Sequence, residues 1–199
     1  MVFEGLMESF EILKNPSSLA KKKAKGSLSD GVMLLAVGGA VGAGVGSFLG
    51  MLFLMNFVGA IFGLIVGAIV GAIAAPLGAL LFNILTYIVA KLLGGKAGYS
   101  QQYYMVALAS AAGIAISMVL QNIPLIGGLL GFVFGLYVLY VEIVAMKEAH
   151  GFDMLKAAAS VLIPAVIILV VVMVLAVMIA AMLMALGFGL AGSSMMRPY

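Results

Sequence analysis

Few residues of this 199-residue chain could do chemistry, and most of those lie in or beside long apolar stretches. Glu142 is the one carboxylate inside such a stretch. An ionisable residue at membrane depth is a functional candidate by default, typically for proton or ion coupling. Its place about four residues from the expected end of its helix also lets it reach interfacial water or Lys147. Asn83, Thr86 and Tyr87 fall within about one helical turn of each other in a second stretch. Such groups bond to neighbouring helices, at about 0.6 kcal/mol each on average. Beside Pro76 they could instead line a midplane solute site, by analogy with the broken helices of transporters. His150 is the only histidine and shares a polar connection with Lys147, Glu148 and Asp153. A metal site normally needs three or four protein ligands, and the chain has no cysteine and no second histidine. Metal, cofactor and catalytic residues are therefore all expected to be absent. No Ser–His–Asp spacing, phosphate-cradling loop or pair of pocketed carboxylates is recognisable. Gly42, Gly44 and Gly46 echo part of a dinucleotide loop, but within an apolar stretch that has no βαβ context. The candidate polar residues are Glu142, Asn83, Tyr87, Lys147, Glu148 and His150.

The elements that must position them are membrane spans. Hydrophobic residues make up 65% of the chain and charged residues 9%, against roughly 45–50% and 25% in soluble domains. That excludes an ordinary soluble globule, and it excludes disorder, which needs low hydrophobicity and high charge. Residues 31–90, 97–141 and 157–196 contain no Asp, Glu, Lys, Arg or His. A spanning helix takes about 20 apolar residues, so the windows hold two or three spans, two spans and one span. The runs do not alternate as barrel strands would. The expectation is an all-α, polytopic helical membrane protein. Without cysteine it has no disulfide or thiol chemistry. No cleavable signal peptide is visible, so the first span is expected to serve as its own insertion signal.

Glycine recurs at every fourth position. Gly38, Gly42, Gly46 and Gly50 form one ladder, Gly59, Gly63, Gly67 and Gly71 a second, and Gly127, Gly131 and Gly135 a third. This spacing keeps each set on one helix face, where another backbone can approach closely. The first two ladders flank Asn56 and could zip into one hairpin. Contacts between copies in a homo-oligomer, or a glycine-lined conduit, are the alternatives.

Residues 2–15 read as an amphipathic helix, with Phe3, Leu6, Met7, Phe10 and Leu13 at helical spacing and Pro16 limiting it. It can lie in the lipid interface or pack on the protein's own helix ends. Lys21, Lys22, Lys23 and Lys25 follow. They suit an anionic cytoplasmic leaflet or act simply as a topogenic signal. No basic fold surface or interleaved aromatic platform accompanies them, so nucleic acid is not an expected partner. Ser27 to Asp30 can cap the first span, about 32–55. Residues 57–93 would reach about 55 Å as one helix. They are expected to break near Ala75-Pro76, leaving open whether 57–75 spans, re-enters or lies at the interface. Tyr99, Tyr103 and Tyr104 mark a headgroup-level belt. The later spans fall at about 102–120, 125–146 and 158–186, with Pro164 early in the last. Five crossings with the N-terminus inside put Lys14, the lysine run, Lys91, Lys96, Lys147 and Lys156 on the inner side. Arg197 alone lies outside, as the positive-inside rule requires.

The chain resembles the Yip domain family of Ypt/Rab-interacting membrane proteins, and more closely its short prokaryotic branch. The resemblance covers about 3–186 and is best from Leu92 to Pro164. Its pieces are Gly94-Gly95 with Tyr99-Ser100-Gln101, Ile123-Pro124 with Gly127-Gly128, and Lys147-Glu148-Ala149-His150-Gly151 with Lys156-Ala157 and Pro164. Phe10 to Pro16 resembles the stretch preceding the spans. The resemblance implies five spans, a cytosolic N-terminus and a C-terminus outside or lumenal; the expected location is the cell membrane, with the C-terminus outside. Eukaryotic relatives are linked to Rab GTPase recruitment and to traffic between endoplasmic reticulum and Golgi. This chain has no long cytosolic N-terminal region and no Asp-Leu-Tyr-Gly-Pro stretch, so no GTPase-contact residue carries over. The domain expectation is a cytoplasmic segment 1–30, a five-span domain 31–186 and a short tail 187–199. The functional expectation is a non-enzymatic adaptor organising partner proteins or lipids. Its partners would be the lipid bilayer, a second copy, or another membrane or peripheral protein. The alternatives are a small transporter or channel-like protein and a structural subunit of a larger membrane complex.

Overall fold

The computed structural model describes residues 2–21 and 26–195. Lys22, Lys23 and Lys25 of the lysine run, and Arg197, lie outside the described residues. Six α-helices follow in order: α1 (Val2–Lys14), α2 (Leu28–Phe53), α3 (Phe57–Leu92), α4 (Tyr99–Gln121), α5 (Gly127–His150) and α6 (Met154–Met195). A short 3-10 turn, Pro16–Lys21, follows α1. Five of the helices, α2 to α6, are long and apolar enough to cross a membrane. The all-α, five-span expectation holds.

Local chemistry explains the helix ends. The Ser27 hydroxyl accepts the Asp30 N–H at 3.3 Å while the Asp30 carboxylate accepts the Ser27 N–H at 2.8 Å. This reciprocal capping box starts α2 where the sequence places it. The Asn56 side chain accepts the Gly59 N–H at 2.7 Å and starts α3. The expected break at Pro76 does not occur, because α3 is one helix of 36 residues. Proline removes one N–H, but it is tolerated where neighbouring groups re-satisfy the backbone. The acceptor freed by Pro76 is the Ala72 carbonyl one turn back; the Tyr103 hydroxyl instead donates to the Pro76 carbonyl at 3.2 Å and ties α4 to α3 beside the proline. The expected tail from 187 is also overtaken, since α6 continues helically to Met195.

α2 is the central helix. One of its faces packs antiparallel on α3, with Gly39 against Gly71, Ala43 against Gly67 and Ser47 against Gly63. Another packs parallel to α4, with Gly31 against Tyr103, Gly38 against Ala111, Gly42 against Ala115 and Gly46 against Met118. The two ladders flanking Asn56 therefore do not zip to each other. The first meets the Ala111–Ala115 row of α4, with Gly50 facing Asn122. The second meets a neighbouring row of α2, Gly39–Ala43–Ser47. Four-residue spacing specifies a smooth face but not which helix seats on it. In the third ladder, Gly127 and Gly131 pack against the end of α4, while a methyl at Gly135 would meet open space. Gly59 sits over its own Asn56 cap.

α1 lies on the bundle. Its buried line is Gly5, Ser9, Ile12 and Leu13, rather than the expected line that began at Phe3. Phe3 and Met7 remain exposed. Two small residues let the helix approach closely. A methyl at Gly5 would stand 2.7 Å from Leu34, and the Ser9 hydroxyl accepts the Ala112 N–H at 2.9 Å. The Tyr137 hydroxyl of α5 also donates to the Leu13 carbonyl. α6 is the opposite case. Ala157, Ser160, Val161 and Pro164 are buried, but residues 169–184 are exposed on every side.

Candidate functional site

The two turns that close the lysine-bearing end of the bundle meet around His150. α5 ends there because Gly151 adopts a left-handed conformation, φ 69°, which reverses the chain and lets the Phe152 N–H bond back to the Lys147 carbonyl at 3.0 Å. Phe152 then stacks on the imidazole, with ring centroids 5.1 Å apart. The α3–α4 turn comes to the other edge of the ring. The Ala97 N–H donates to His150 Nδ1 at 3.3 Å. Gly95 lies against the same nitrogen so closely that a methyl there would collide with it.

Because Nδ1 accepts, the single proton of a neutral imidazole sits on Nε2. Nε2 is 2.8 Å from Gln102 Oε1 and donates to it. The Gln102 amide nitrogen in turn donates to Asn83 Oδ1 at 2.8 Å and Thr86 Oγ1 at 2.9 Å. The Thr86 hydroxyl donates to the Asn83 carbonyl at 3.0 Å. The chain Ala97–His150–Gln102–Asn83/Thr86 thus joins α3, α4, α5 and their connecting turn. All four side chains are at most 3% exposed. Asn83 Nδ2 is the one donor of the cluster left without a partner. Both ring nitrogens of His150 are engaged by the protein, so the imidazole offers no free ligand atom. Among the described residues no group of three or more His, Cys, Asp or Glu side chains lies together.

The other expected polar residues stand elsewhere. Tyr87 is outside the cluster, edge-on to Tyr99 at 5.5 Å, with the Lys91 ammonium 5.4 Å from its ring centre. The Lys91 ammonium also donates to the Gly95 carbonyl at 3.1 Å. Lys147 pairs with Glu148 at 3.3 Å on the partly exposed surface. Glu142 does not reach Lys147 or the helix end. α5 runs to His150, so Glu142 lies two turns, about 12 Å, before its end. Among the described residues it has no ion pair, and its polar neighbour is Ser110 of α4. The tyrosine belt is corrected in the same way. Tyr103 is 1% exposed and, with Tyr99, hydrogen-bonds to carbonyls of α3.

Gln102, the hub of the cluster, was not among the sequence candidates. Its signal was available, because an amide four residues past Gly98 lies in the first turn of an apolar helix, with Tyr99, Tyr103 and Tyr104 close by in sequence. Pairing it with His150, 48 positions away, required the fold.

The described helices and buried polar cluster define a polytopic helical membrane protein whose interhelical contacts rest on small residues and one hydrogen-bonded knot. Comparison with protein families matches residues 10–176 to the Yip1 domain. The chain belongs to the Yip1 domain family. Comparison with curated proteins and with solved structures finds no match.

Proposed function

We propose that this Yip1-domain protein is a non-enzymatic membrane adaptor whose lysine-bearing end faces the cytoplasm and receives a partner protein. The observation that carries this is the hydrogen-bonded knot at that end. It ties the Leu93–Gly98 and Gly151–Asp153 turns to one buried imidazole. Lys91, Lys96 and Lys156 are exposed around those turns. A surface held in one geometry presents charges at fixed spacing, which favours recognition over mere attraction. The orientation rests on the positive-inside rule, with Lys91, Lys96, Lys147 and Lys156 all at this end. The transporter reading needs Asn83, Tyr87 and Glu142 in one site, and they occupy three separate settings.

The test is mild-detergent isolation from native membranes after crosslinking, with mass spectrometry of what is recovered. The adaptor reading expects a reproducible stoichiometric protein that is lost from a Lys96→Glu/Lys156→Glu variant of unchanged thermal stability. Recovery of only the protein itself and lipid would overturn it. Degradation of the chain whenever it is expressed alone would favour the complex-subunit reading.

A further inference from the structure

Glu142 opens onto a groove of about 300 Å³ between α4 and α5. Ile114 and Val138 form its apolar walls, Ser117 and Gln121 line it from α4, and Gly135 leaves its floor unfilled. Ser117 and Gln121 are four residues apart, so they lie on one face of α4. Over 114–121 the groove runs about 10 Å along the helix. Among the described residues, the Ser117 hydroxyl and the Gln121 amide make no hydrogen bond within the protein. The groove lies between two membrane spans, reaches the end of α4 at Gln121 and is open on one side, so a lipid can enter it from the bilayer.

The lining defines the chemistry of that occupant. A carboxyl, a hydroxyl and an amide lie on an otherwise apolar wall and offer hydrogen bonds to an uncharged polar group on an apolar body. No Lys, Arg or His lines the groove, so nothing there would balance a phosphate, and the Glu142 carboxyl would oppose one. We infer that the α4–α5 groove binds a neutral, hydroxyl-bearing lipid of the diacylglycerol type, with the lipid hydroxyl at Glu142 and an acyl chain along Gly135. The site is independent of the adaptor surface, which lies two turns of α5 away.

The full-length protein would be placed in phosphatidylcholine vesicles containing a photoactivatable diacylglycerol analogue, and crosslinked residues mapped by mass spectrometry. Crosslinks are expected within 114–121 and 135–142. A methyl at Gly135 meets no atom within 4 Å, so the backbone there tolerates a side chain, and Gly135→Leu puts one into the groove and should reduce labelling to background. Glu142→Leu removes the polar anchor and should reduce it about tenfold, the equivalent of one hydrogen-bonded contact of about 1.4 kcal/mol. Gly128→Leu is also open at its Cβ position but lies outside the groove, and it should label as the parent does. Equal labelling by a photoactivatable phosphatidylcholine, or undiminished labelling of either groove variant, would overturn the assignment.

Discussion

The His150 imidazole is held by its two neighbours in a single tautomer, and this makes the residue hard to replace. His150→Ala leaves the Gln102 carbonyl oxygen and the Ala97 N–H without partners in a buried setting. Each such orphan costs about 1–3 kcal/mol, so the variant should lose about 2–6 kcal/mol. A detergent melting curve reads this directly. Gln102→Leu should cost a similar amount, and the double variant should cost clearly less than the sum, because both single changes break the same chain of bonds. Additive losses would show that the two residues act separately. A charged imidazolium would carry a proton on Nδ1 facing the Ala97 N–H, so the geometry accommodates only the neutral ring.

At the scale of elements, small residues decide which helix meets which. A side chain at Gly71 would collide with the Gly39 carbonyl, whereas one at Gly78 on the same helix meets nothing. Gly71→Leu should therefore destabilise by about 2–3 kcal/mol or more through overpacking. Gly78→Ala should stay within about 1 kcal/mol of the parent, on the stabilising side. Thermal unfolding of the pair checks the contrast, and equal effects would contradict the α2–α3 seam. Pro76→Ala returns one N–H to a helix that is already continuous, so it should be neutral or mildly stabilising in the same assay. A large loss would mean that the proline shapes α3 in a way its unbroken path does not reveal.

These elements also show what could be read from the residues alone. The spans were legible because expelling charge from hydrocarbon is a strong, local constraint, and the Ser27–Asp30 cap because its bonds close within three residues. The seating of the ladders was not, since a row of glycines fits any smooth partner, and α2 carries two such rows side by side. The inward line of α1 was hidden for a related reason. Its contact is made by Gly5 and Ser9, which hydrophobic periodicity does not count. The buried cluster is half legible: Asn83 and His150 stand out as polar residues in or beside apolar stretches, whereas the Gln102 bonds that join them span 19 and 48 positions and exist only in the fold.

At the scale of the whole molecule, the connectivity makes a topological statement. α2, α4 and α6 run one way and α3 and α5 the other, with Lys91, Lys96, Lys147 and Lys156 gathered at one end. Single cysteines at Asn56, Ser100 and Asn122 can be introduced into a chain that has none. With the N-terminus cytoplasmic, an impermeant thiol reagent outside the cell should label positions 56 and 122 and spare 100. Labelling of 100 from outside would invert or break the five-crossing arrangement.

The isolation of the last helix bears on how its sequence can drift. Residues 157, 160, 161 and 164 of α6 face protein atoms and must match their shapes. Residues 169–184 face only the surrounding medium, so the chain asks of them length and oiliness and nothing about form. Leucine, isoleucine, valine and methionine should exchange there almost without consequence. One helix would thus contain a spelled-out half and a half written only as a composition, divided within two turns of Pro164.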